Sequence, residues 1–177
     1  MAFRRHLPAL ATLAATLALA GCGSDPTQEV CPATKRVPDA GRLTAFADGE
    51  QVPSARRFAA RIDAMGVTCE RVDTERGAAL ATDLSLRLET KRGPAMASPA
   101  VRYRYFVAVL DRDGRVIARR AFPVKLDFSG NAGTLRTTER VSQRIPLTGR
   151  QTARDYTVYV GFELSEAQLR YNRNNPG

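Results

Sequence analysis

Histidine and tryptophan are almost absent from this chain, which has one histidine, His6, and no tryptophan. His6 lies within residues 1–21, which we expect to be removed during export, so the remaining chain has no imidazole. Ser-His and Cys-His nucleophilic arrangements are then excluded. The chain also lacks the histidine and the close pair of cysteines that a zinc site needs. No glycine-rich phosphate loop follows a strand pattern. We therefore expect no enzyme, no cofactor and no metal site.

Acidic side chains offer a weaker alternative, a carboxylate-based hydrolase. Asp111 and Asp113 flank one turn, and Asp73 and Glu75 flank another. Glycosidase chemistry needs two carboxylates held across a cleft, and turn residues rarely provide that placement. We interpret both pairs as turn formers and solvated charges.

The N-terminal segment has the parts of an export signal. Arg4 and Arg5 form a basic start, and the 14 residues of the stretch 7–20 are apolar apart from two threonines. Such a stretch suits a signal peptide and is too short for a membrane-spanning helix, which needs about 20 residues. The sequence has no second long apolar segment. We therefore predict a cleaved signal peptide over residues 1–21.

The residues Leu19-Ala20-Gly21-Cys22 resemble the lipobox of bacterial lipoproteins. The resemblance implies that Cys22 is acylated and that a peptidase cuts just before it. Several acyl chains hold a protein firmly on a membrane, whereas one holds it only marginally. Gly23 stands where an aspartate would favour retention in the inner membrane, so the resemblance points to the outer membrane, facing the periplasm. The alternative is an ordinary secretory signal with a cysteine near its cleavage site.

Removal of residues 1–21 leaves one chain of single-domain size. Of the 27 lysines and arginines, 25 remain against 18 aspartates and glutamates, a net charge of +7. Residues 22–30 are rich in small and polar types and predict a flexible tether behind the anchor. We expect residues 31–177 to form one domain with a single core.

Cys31 and Cys69 are the two cysteines that remain to pair with each other once Cys22 is acylated. An exported protein folds in an oxidising space, which favours a disulfide between them. Two buried free thiols are the alternative.

Alternation of apolar and polar residues dominates the rest of the chain and predicts half-buried strands. Leu80, Leu84, Leu86 and Leu88 share one face of the clearest example. Asp113-Gly114 predicts a hairpin turn, since glycine accepts a positive φ. Ser165 followed by Gln168 predicts a capping box that begins a short C-terminal helix. Further strands are indicated over residues 43–47, 58–72, 101–110, 122–128, 135–145 and 156–164.

These patterns predict an all-β fold of about seven strands, an antiparallel β-sandwich of immunoglobulin-like kind with a short C-terminal helix. The absent tryptophan argues against true immunoglobulin kinship, and a small barrel is the alternative. The segments "YFVAVLDRDGRVIARRAFPV" and "DYTVYVGFELSEAQLRYNR" are similar to β-sandwich envelope lipoproteins of bacteria whose roles are uncharacterised. That resemblance implies a fold and a location, and it brings no catalytic residues.

Arginines gather on one predicted hairpin and suggest a positive patch. The patch consists of Arg102, Arg104, Arg115, Arg119 and Arg120. It would suit anionic lipid headgroups, lipopolysaccharide phosphates, a glycan or an acidic partner protein. The alternative is compositional, because the whole chain has 24 arginines and 3 lysines. Nucleic acid is not expected as a partner, since no aromatic and basic reading surface is evident.

Two classes of function follow. The first is a lipid-anchored, non-catalytic structural or interaction module of the cell envelope. The second is a binding protein for an anionic lipid, lipopolysaccharide or glycan, which would need an exposed aromatic cluster beside the arginines. The candidate aromatic residues are Tyr103, Tyr105, Tyr156 and Tyr159.

Overall fold

The computed structural model describes residues 30–47 and 50–176. The predicted signal peptide, Cys22 and nearly all of the tether lie outside these residues. The described part contains eight strands and one α-helix: β1 (Ala33–Arg36), β2 (Arg42–Phe46), β3 (Arg56–Thr74), β4 (Gly77–Arg92), β5 (Ala100–Leu110), β6 (Val116–Asp127), β7 (Thr134–Pro146), β8 (Thr157–Phe162) and α1 (Glu166–Asn174).

The strands form two four-stranded sheets. One sheet has the order β2-β3-β4-β7 and the other the order β1-β8-β5-β6. The prediction of a mainly β fold with a short C-terminal helix is confirmed. The described residues contain one strand more than predicted, and the extra strand β1 pairs with β8 in parallel, unlike the antiparallel pairs among the other strands. Because β1 is a short edge strand with mostly exposed side chains, it has no apolar alternation that could announce it.

Apolar side chains from both sheets meet in one core, so the fold is sandwich-like. The predicted leucine face of β4 is buried as expected, with Leu80, Leu84, Leu86 and Leu88 at most 2% exposed. Across the core, β5 contributes Val101, Tyr103, Tyr105, Val107 and Val109. Removal of these apolar surfaces from water is the main force that holds the sheets together.

The Cys31–Cys69 disulfide is present, with its Cα atoms 5.6 Å apart. Cys31 lies just before β1, and Cys69 lies on β3 of the other sheet. The predicted disulfide is therefore confirmed, and it ties one sheet to the other.

The predicted hairpin turn and helix start are also confirmed. Gly114 has a φ of +76°, which is the left-handed conformation that glycine adopts without strain. At the start of α1, the Gln168 amide donates to Ser165 Oγ, and the Ser165 amide donates to Gln168 Oε1. The two bonds form the expected capping box.

A buried polar residue of α1, Asn172, attaches the helix to the start of β2. The Asn172 side-chain amide donates to the carbonyl oxygens of Asp39, at 2.7 Å, and Arg42, at 2.8 Å. The Phe46 and Tyr171 rings meet edge to face, 4.9 Å between centroids. These contacts hold the helix beside β2.

Candidate functional site

The five arginines of the predicted patch do not form one surface. Arg102, Arg104 and Arg119 lie on the outer face of their sheet, as their register across β5 and β6 requires. Arg120 follows Arg119 directly and so lies on the opposite face of β6, because successive side chains of a strand alternate. Arg115 lies in the β5–β6 turn.

Acidic residues neutralise part of this charge. Glu163 accepts from Arg104 Nε at 2.8 Å and forms an ion pair with Arg119 at 3.2 Å. The Arg119 guanidinium also lies 4.5 Å from the centroid of the Phe106 ring. On the outer face, Arg102 and the opposing Lys125 form no ion pair with any described residue.

The turn arginine is held by the turn itself. Arg115 pairs with Asp111 at 2.9 Å and with Asp113 at 3.0 Å. The Arg115 backbone amide also donates to Asp111 and lowers the pKa of that carboxyl. Arg115 is thus a turn residue whose charge is compensated, and the structure does not bring it together with Arg102.

Three of the four tyrosines are buried. Tyr103 is 7% exposed, Tyr105 1% and Tyr156 4%, and burial raises the pKa of Tyr105 to about 12. Tyr159 is half-buried on the outer face. The inner positions of β5 and β8 belong to the core, so the expected aromatic cluster beside the arginines does not exist, and the binding-protein alternative loses that support.

A groove opens where β8 ends beside β5. The β8 ladder pairs Phe162 with Tyr105, and the Glu163 amide then donates to the Arg104 carbonyl at 3.0 Å. Beyond that bond, no strand of the described residues lies beside residues 100–103 on this side. We call the resulting cavity, of about 480 Å³, the edge groove.

The lining of the edge groove comes from four separate parts of the chain. Its apolar residues are Leu43, Ala45, Phe58, Ala100, Val101 and Tyr103. Its polar residues are Arg57, Arg102, Arg104, Glu163 and Gln168. Three arginines and one carboxylate thus line the groove, and Glu163 is already shared between Arg104 and Arg119. Arginine is the predominant charged residue of this lining, which includes no serine, cysteine or histidine.

Sequence reasoning identified Arg102 and Arg104 but missed Arg57, Glu163 and Gln168. Arg57 precedes Arg102 by 45 residues, and no local pattern connects them. For Glu163 a signal exists, because it follows the outward positions of β8 and becomes a neighbour of Arg104 once the β5–β8 register is known.

A second charged cluster lies on the outer face of the other sheet. The Glu89 carboxylate, only 1% exposed, contacts Arg61 at 3.0 Å and Arg136 at 2.6 Å. Lys91 lies 3.6 Å from the same carboxylate. The hydrogen bond from Arg61 is the main cause that lowers the pKa of Glu89. Since the buried Glu89 carboxylate is compensated by cations from three strands, we interpret this cluster as structural.

Within residues 30–47 and 50–176, no three histidine, cysteine, aspartate or glutamate side chains are grouped as a metal site. In the part of the chain that the structure describes, no helix has the length and apolar composition needed to cross a membrane.

No family model, curated protein or solved structure matches the chain.

Proposed function

We propose that the protein is a lipid-anchored cell-envelope protein, which acts as a non-catalytic structural or interaction module in the periplasm. The anchor is Cys22, and Gly23 favours the outer membrane. The observation that supports this compartment most directly is the Cys31–Cys69 disulfide, because such bonds persist in oxidising spaces and are rare in the cytosol.

The proposed architecture is a β-sandwich whose likeness to immunoglobulin domains is limited to the two-sheet arrangement. In a constant-type immunoglobulin domain, strands A, B, E and D form one sheet and C, F and G the other. Here consecutive strands β2, β3 and β4 are neighbours in one sheet, so the strand order is different.

The edge groove supports the interaction role. It combines an apolar lining with three arginines, and residues from both sheets and α1 contribute to it. A binding function for an anionic lipid, lipopolysaccharide or glycan is the second candidate, favoured by Arg102 and Lys125, which oppose each other on the exposed outer face. The buried tyrosines take no part in that candidate.

Metabolic labelling with a fatty-acid analogue tests the anchor. We expect the label on the wild-type protein and none on Cys22→Ala. The double variant Cys31→Ala/Cys69→Ala is the matched control and should keep the label, because its lipobox is intact. Absence of label from the wild type, or its retention in Cys22→Ala, would contradict the proposal.

A further inference from the structure

The free edge of β5 leaves main-chain hydrogen-bonding groups exposed to the edge groove. In an antiparallel pair, the amide and carbonyl of alternate residues point to the same side of a strand. The Arg104 carbonyl accepts from Glu163 on the β8 side, so the amide and carbonyl of Arg102 point to that side too. The Ala100 amide, two residues earlier, already donates to Ser98 Oγ. Among the described residues, none bonds the Arg102 main chain there.

From this edge we infer that the groove binds an extended acidic segment of another envelope protein, which adds as a short strand beside β5. The inference rests on the proposed interaction function and names the class of partner. Strand addition is a common mode of peptide recognition, in which main-chain bonds supply affinity and side-chain contacts supply specificity.

The charge of the groove selects acidic side chains in such a segment. Arg57 and Arg102 line it without an ion pair to any described residue, whereas Arg104 is already bound to Glu163. Carboxylates of the added strand would therefore meet two available guanidinium groups. A basic segment would meet uncompensated positive charge on both sides of the groove.

The main-chain groups favour a peptide over an anionic lipid. The Arg102 edge offers one donor and one acceptor side by side, and a peptide backbone satisfies both. A phosphate or sulfate oxygen can only accept, so it would leave the Arg102 carbonyl without a donor.

The outer edge of β6, at the end of this sheet opposite β1, is less suited to strand addition. β6 includes Pro123, which pairs with Arg104 across the ladder and, by the same alternation, has its nitrogen on the outer edge. Proline has no amide hydrogen to donate, and proline and lysine on an edge strand commonly protect it from pairing. Lys125 follows on the same strand. Residues 100–103 of β5 include neither proline nor lysine.

Peptide binding to the full chain, purified in detergent, tests the inference. The probe is a fluorescent ten-residue peptide that alternates glutamate with valine or threonine. Two controls accompany it: the same peptide with lysine for glutamate, and the acidic peptide with alternate amides N-methylated along the edge that pairs. We expect the acidic peptide to bind, N-methylation to weaken it about tenfold, and the lysine peptide not to bind.

Charge variants locate the binding site. Arg57→Gln combined with Arg102→Gln should weaken binding of the acidic peptide about tenfold. Lys125→Gln is the matched control, because Lys125 opposes Arg102 on the same face but does not line the groove. It should leave binding nearly unchanged. Unchanged thermal unfolding of each variant shows that the fold is retained.

Three results would overturn the inference: no binding of the acidic peptide, equal binding of its N-methylated form, or equal loss in Lys125→Gln and the double variant. Binding to vesicles that contain phosphatidylglycerol, without binding to the peptide, would assign the arginines to a lipid instead. These measurements do not depend on Cys22, so failure of the peptide experiment and failure of the fatty-acid labelling are separate outcomes.

Discussion

Removal of the disulfide is the perturbation whose size follows most directly from the structure. Cys31 and Cys69 are 38 residues apart in sequence, and the bond joins the two sheets. The chain entropy released in the unfolded state by opening such a loop corresponds to about 4 kcal/mol. We therefore expect Cys31→Ser/Cys69→Ser to lower the free energy of unfolding by about 4 kcal/mol. For a domain of about 150 residues this corresponds to a fall in Tm of about 8–16 °C.

Urea unfolding, followed by circular dichroism, measures this difference. The wild type in reducing buffer is the internal control, and its midpoint should move to that of the double variant. The variant should be insensitive to the reductant. Two results together would refute the chain-entropy argument for this bond: the double variant loses less than about 1 kcal/mol of unfolding free energy, and the wild type is as stable in reducing buffer as in oxidising buffer.

Three further predictions concern packing and ionisation. Gly93→Ala should lower the free energy of unfolding by about 3 kcal/mol or more, because the added Cβ would lie 2.0 Å from the Arg56 carbonyl oxygen. Gly66→Ala is the control and should have little effect, because no atom lies within 4 Å of its added Cβ. Urea unfolding that ranks the two equally would contradict this. Asn172→Ala should cost about 2 kcal/mol, since two backbone carbonyls lose their donor, and unchanged thermal unfolding would be inconsistent with that role. The free energy of unfolding should decline as pH rises from 10 to about 12, because the pKa of Tyr105 is raised in the folded state and its ionisation therefore favours unfolding. Denaturant titrations across that pH range should show a smaller decline for Tyr105→Phe than for the wild type.

The strands with one buried face could be predicted because burial imposes a period of two on the sequence. Leu84, Leu86 and Leu88 show this directly, and Ser165 with Gln168 indicates the start of the helix by a purely local interaction. The disulfide could be predicted from the cysteine count and the expected compartment. These are features that a short window or a count contains.

The parallel strand and the edge groove could not be predicted, because they depend on contacts between distant parts of the chain. β1 has little buried surface and hence no pattern. The groove requires that β8 end at Phe162 while β5 continues past it, which is a matter of relative register. The division of Arg119 from Arg120, by contrast, follows from strand alternation alone and was available from the sequence.

Site-specific photo-crosslinking in intact cells tests the central claim, that this is an envelope interaction module, most directly. A photoreactive residue at Ala100, exposed in the edge groove, reports on the proposed interface. The same residue at Arg140, exposed on the outer face of the other sheet, is the control. We predict a discrete protein adduct from position 100 and none from position 140. No adduct from position 100, or the same adducts from both positions, would contradict the account.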